Sequence, residues 1–148
     1  MSKWIHFFTE DIRYTLPEKN NVRLWISDTA SAENSGAGEI CFVFCSDKYL
    51  GRINQKYLKH NTLTDIITFP SNEEKGLISG DIFISVPRVK ENAKKFNQKF
   101  IDELHRVMIH GVLHLIGYTD ISTEERQKMS SKEDYYLDRL FQIKARSS

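Results

Sequence analysis

The chain has 148 residues, 40% hydrophobic and 28% charged, which suits one domain with a core of its own. Its formal charge of +1 provides no global field, so a polyanion would have to be held by a local patch. No apolar run reaches membrane-spanning length, and the short apolar start runs straight into Glu10 and Asp11, so a cytoplasmic protein without a membrane partner is expected.

In chain order, residues 4–9 read as a first strand and 22–32 as a short helix, followed by a polar, glycine-containing loop over 31–38. Residues 40–45 are apolar on both alternating faces and read as a buried strand. Cys41 and Cys45 lie four apart on it, about 13 Å between Cα atoms, beyond disulfide reach, so both read as packing residues. Ser46 can cap a helix running to about residue 57. Residues 66–69 and 78–86 are rich in β-branched and aromatic side chains and read as strands joined by a polar connection over 71–76.

Ser85 and Pro87 open another helix, reaching about residue 97. The longest helix covers 100–116 and is apolar nearly all round from Val107 onward, which makes it central and buried. A final helix starts at Ser122, where Ser122 and Glu125 form a capping box, and its tail over 144–148 is expected to fray. These elements predict one α+β domain over residues 1–148, a small mixed sheet packed with helices.

The most informative run is His-Gly-Val-Leu-His-Leu-Ile-Gly-Tyr-Thr-Asp at 110–120. His110 and His114 are four apart, so on a helix both rings project from one face. Gly117 can end the helix in a left-handed turn and let Asp120 return as a third ligand. Two imidazoles, one carboxylate and an open position for water suit one catalytic Zn²⁺ ion. The competing reading is a pair of hydrogen-bonded core histidines, but the glycine stop and third oxygen favour the metal. Gly111 stands where zinc peptidases carry their glutamate base, which argues against peptide hydrolysis.

The run resembles the YbeY family of bacterial ribosomal RNA maturation endoribonucleases. Three further stretches fit that family in the right order: Asn-Gln-Lys-Tyr at 54–57, Leu-Thr-Asp-Ile-Ile-Thr-Phe-Pro at 63–70 and Gly-Asp-Ile-Phe-Ile-Ser at 80–85. The resemblance spans about residues 46–140 and implies a zincin-like metal site on the central helix. It implies His110, His114 and Asp120 as metal ligands, with His114 also counted as catalytic. It further implies a zinc-dependent, single-strand-specific endoribonuclease that matures the 16S rRNA 3′ end in ribosome quality control. Ribosomal RNA and the small ribosomal subunit would be the partners.

The chain departs from the family twice. Most members place a histidine as third ligand after Gly-Tyr-Asp, whereas here Asp120 follows Gly-Tyr-Thr, lowering the site's net charge and leaving room for harder ions such as manganese. Many members carry arginine after the tyrosine, but here that residue is Leu58, with Lys56, Lys59 and His60 as nearby substitutes. Leu58 makes a metal-stabilised assembly factor with little nuclease activity the first alternative; a metallohydrolase of another substrate is the second.

Supporting residues can also be assigned. Asp65 and Asp81 are candidates to orient a histidine's free ring nitrogen, or else strand-end turn residues. Glu103, two turns before His110, reads as a supporting or capping residue. Lys48, Arg52, Lys56 and Lys59 share one helix face, opposite Leu50, Ile53 and Tyr57, and form either a phosphate-binding stripe or a solvated face. Arg88, Lys95 and Lys99 form a weaker second stripe.

Overall fold

Alternation along the fourth strand decides which face of the sheet receives the helices. In the computed structural model, which describes residues 4–59, 64–71 and 76–147, the strands are β1 (Ile5–Thr9), β2 (Gly36–Cys45), β3 (Ile66–Ser71) and β4 (Leu77–Ser85). Their order is β1-β2-β4-β3, with β1, β2 and β4 parallel and β3 antiparallel at the edge. The helices are α1 (Lys19–Ala32), α2 (Asp47–Ile53), α3 (Val86–Lys95), α4 (Phe100–Ile116) and α5 (Thr123–Ser147). This is a mixed four-stranded α+β domain, as the sequence predicts.

One face of the sheet carries Ile40, Phe42, Phe44, Ile82 and Ile84 into the main core with Trp25, Leu104, Met108 and Val112. Each such side chain contributes roughly 1.5–3 kcal/mol on burial, so α4 is held against this face by hydrophobic packing. The opposite face carries Cys45 and Ile67, covered by Leu50 and Ile53 of α2. Both cysteines are free, and burial, with nearby carboxylates adding, pushes the Cys45 thiol up to about 12.

Short-range signals place the helix starts. The Ser46 Oγ accepts from the Tyr49 N–H at 3.0 Å and donates to Asp11 at 2.6 Å. The Ser85 Oγ accepts from the Arg88 N–H at 3.2 Å and donates to Asp47 at 2.6 Å. At α5, the Glu125 N–H donates to the Ser122 Oγ at 3.1 Å while the Ser122 N–H donates to Glu125 at 2.9 Å, the reciprocal capping box.

Several boundaries differ from the sequence reading. β1 begins at Ile5, α1 begins at Lys19 after a left-handed Glu18, and β2 takes in Gly36 from the expected loop. Helix α5 continues to Ser147 instead of fraying. Residues 72–75 of the predicted connection lie outside the described residues. The α2 helix passes into a π-helical turn, Asn54–Leu58. Its i→i+5 spacing changes the helical phase, so Tyr57 is 60% exposed and does not face the core.

Candidate metal centre

Helix α4 has two functional faces. His110 and His114 project from one, four residues apart, and Gly111 faces the sheet on the other. A Cβ at Gly111 would lie 3.0 Å from the Ile66 Cδ1 and 3.0 Å from the Ile82 Cγ2. Glycine therefore lets α4 lie close on β3 and β4, and a glutamate there would point into the core, away from the histidines.

Gly117 ends the helix at φ 126, in the positive region that favours glycine. Its N–H donates to the Leu113 carbonyl at 3.1 Å, and the Tyr118 N–H to the same carbonyl at 3.0 Å, closing the last turn. The chain then folds back and delivers Asp120. The Tyr118 hydroxyl donates to Glu33 at 2.5 Å, tying this loop to the end of α1.

The three predicted residues meet. Nε2 of His110 lies 3.0 Å from Nε2 of His114 and 3.3 Å from Oδ2 of Asp120, and His114 Nε2 lies 3.6 Å from that oxygen. Donors about 2.0–2.1 Å from one tetrahedral ion stand about 3.3–3.4 Å apart, so this spacing fits a shared cation. The proton inventory agrees. His110 Nδ1 donates to Glu133 Oε2 at 2.6 Å, leaving Nε2 as a lone pair aimed at the other two atoms. An ionised carboxylate also only accepts, so His110 Nε2 and Asp120 present two lone-pair atoms that a shared cation would satisfy.

Glu133, on α5, is itself buried and receives the Arg106 Nη1 at 2.9 Å, while Arg106 Nη2 reaches Asp134 at 2.6 Å. Burial depresses the His110 pKa, but the hydrogen bond and charge of Glu133 outweigh it and leave it raised. The His114 pKa is lowered, by burial first and then by the neighbouring His110 charge. Asp65 and Glu103 line the same cleft, of about 390 Å³, and burial raises both carboxyls above their ordinary range.

The other predicted residues divide. Asp65 reaches the cleft but is hydrogen-bonded from Asn92 at 3.4 Å; the orienting partner of His110 is Glu133. Asp81 pairs in register with Cys41 and Phe69, faces the other side of the sheet and supports neither histidine. Lys48, Arg52, Lys56 and Lys59 are exposed, whereas Arg88 is engaged by Asp47 at 2.7 Å, which breaks the second stripe. Leu58 is 43% exposed, and His60 lies outside the described residues.

Sequence reasoning missed two residues. Glu133 interrupts the buried stripe of Met129, Tyr136 and Leu140 on α5, and a carboxylate in a core register was the available signal. Arg126 lines the cleft beside His110 and Asp120 and carried no such signal.

The sequence profile of the family described as Endoribonuclease YbeY matches residues 7–141. The Endoribonuclease YbeY of Cytophaga hutchinsonii is 48% identical, over 90% of this chain and 93% of its own. That of Flavobacterium psychrophilum is 47% identical, over 93% of this chain and 96% of its own. The solution structure of a Thermotoga maritima protein superposes with a TM-score of 0.68 at 28% identity, covering 97% of this chain and 92% of that one. The chain belongs to the YbeY family of endoribonucleases, enzymes that hydrolyse RNA phosphodiester bonds.

Proposed function

We propose that the chain is a zinc-dependent endoribonuclease that cuts single-stranded RNA, with His110, His114 and Asp120 holding one Zn²⁺ ion. The observation that supports this reading most is the convergence of those three ligand atoms at 3.0–3.6 Å, in a chain of an endoribonuclease family. When bound, such an ion supplies Lewis acidity toward a phosphate oxygen and makes water more acidic. Glu133 fixes the His110 ring, and Arg106 fixes Glu133. Asp65, which lines the cleft with His110 and Asp120, is the carboxyl we assign to proton transfer, since no glutamate follows His110. In this reading the enzyme works in the cytoplasm on ribosomal RNA of the small subunit, at the 16S 3′ end and in ribosome quality control.

The exposed, uncharged Leu58 favours a second reading, a metal-stabilised ribosome assembly factor with little nuclease activity. One experiment separates them. Purified protein is assayed for metal content and for cleavage of single-stranded RNA, beside His114→Ala and Asp120→Ala. The nuclease reading expects stoichiometric zinc and metal-dependent cleavage, both lost in the variants while the circular dichroism spectrum is kept. Ribosome binding that survives chelation, with no RNA cleavage by the wild type, would establish the assembly factor instead.

A further inference from the structure

On the sheet face opposite α4, helix α2 covers only part of the surface. Beside it lies an open groove of about 520 Å³ lined by the rings of Tyr49, Tyr57, Phe69 and Phe83. Tyr57 meets Phe69 edge-on at 5.7 Å, and Phe69 meets Phe83 edge-on at 5.8 Å. The π-helical turn keeps Tyr57 out of the core, at 60% exposure.

The groove is also basic. Arg52 and Lys56 line it, with Lys56 Nζ 5.3 Å from the Tyr57 ring centroid and Arg52 Cζ 5.9 Å from that of Tyr49. Neither cation makes an ion pair among the described residues, so both charges are available to a ligand in the groove. One carboxylate, Asp81, also lines the groove.

We propose that this groove is a subsite for single-stranded RNA, with bases against Tyr57 and Phe69 and phosphates against Arg52 and Lys56. Exposed rings interleaved with cations are what a flexible polyanion carrying flat bases requires. The position suits a substrate of the metal centre. Edge strand β3 is shared, because Ile66 lines the metal cleft and Phe69, three residues or about 10 Å along, lines the groove. A strand crossing that edge would touch both. The inference rests on the RNA reading proposed above and adds where the strand is gripped.

The test reads binding separately from cleavage. Anisotropy of a labelled single-stranded RNA of about 12 nucleotides, a length within the usual range for such sites, is measured for the wild type, Tyr57→Ala and Arg52→Ala/Lys56→Ala. Each variant is expected to bind about tenfold more weakly. In the double variant the slope of log affinity on log salt falls by about 1.4, for two lost phosphate contacts. Metal content, melting temperature and hydrolysis of a small activated phosphodiester, too short to reach the groove, stay unchanged. Tyr57→Phe is expected to retain binding.

RNA binding without any cleavage would sink the nuclease reading while leaving this one standing. Wild-type protein that does not bind RNA, or variants that bind it as wild type does, would overturn the subsite. Self-association lost in Tyr57→Ala with RNA affinity intact would give the groove to a second copy and overturn it too. So would a ribosomal protein that is released by Tyr57→Ala while RNA affinity stays unchanged.

Discussion

Glu133 Oε2 and His110 Nδ1 meet at 2.6 Å, joining α5 to the first ring of the metal centre. That bond fixes which nitrogen of His110 is free, and the free one faces His114 and Asp120. Glu133→Gln can turn an amide nitrogen toward Nδ1, which favours the wrong tautomer. Zinc affinity measured against a competing chelator is expected to fall about 10–100-fold. An unchanged affinity would mean the bond does not prepare the ligand.

Gly111 sets how closely α4 approaches the sheet. Alanine is the better helix former by about 1 kcal/mol, but its Cβ would meet Ile66 and Ile82 at 3.0 Å. Overpacking of this kind costs about 1–3 kcal/mol, so the contact outweighs the propensity. Gly111→Ala is expected to be less stable by about 1 kcal/mol, a fall of roughly 3 °C in melting temperature. Gly111→Glu, which restores the peptidase spelling, is expected to unfold the domain without conferring peptidase activity. A stable Gly111→Glu protein would contradict the packing described.

What could be read in the sequence was local. Ser46, Ser85 and the Ser122–Glu125 pair act on N–H groups within three residues of themselves, and each capped its helix as expected. The spacing of His110 and His114 survives because α4 is regular throughout its length. What escaped depended on other elements. Glu133 is 23 residues from the ring it holds, and only the packing of α4 against α5 brings them together. The side of the sheet taken by Asp81 follows from its β4 register, in which Ile82 and Ile84 claim the core. Tyr57 left the core face because a π-helical turn, which periodicity counts as ordinary helix, shifted the phase.

Arg126 brings a cation to the metal cleft. Its Nη1 donates to the Ile121 carbonyl at 2.8 Å and its Nη2 lies 3.4 Å from Thr123 Oγ1, which aligns the guanidinium without neutralising it. No ion pair engages it among the described residues, and it lines the cleft with His110 and Asp120. A charge-assisted hydrogen bond contributes about 1.5–3 kcal/mol, so Arg126→Ala is expected to lower kcat/KM for RNA about 10–100-fold. Zinc content should not change, because Arg126 touches no ligand atom. Full activity in the variant would remove it from phosphate binding.

His105 gives the fold a pH dependence separate from the metal. It is 3% exposed, packs edge-on against Trp25 at 5.8 Å, and its Nε2 is buried without a hydrogen-bond partner. Burial first, and the charge of Lys144 second, lower its pKa from 6.5 to about 4. The folded protein therefore holds the ring neutral, while the unfolded chain takes up a proton below 6.5. This contribution is fully present above pH 6.5 and is lost as pH falls from there toward 4. At 1.36 kcal/mol per unit it amounts to about 3 kcal/mol. His105→Phe keeps an aromatic ring and removes the titration. Urea unfolding of the two chelator-treated proteins from pH 7.5 to 4 should show the wild type losing about 3 kcal/mol more than the variant. Parallel stability curves would mean that water reaches the ring, or that the charged ring finds an acceptor inside the fold.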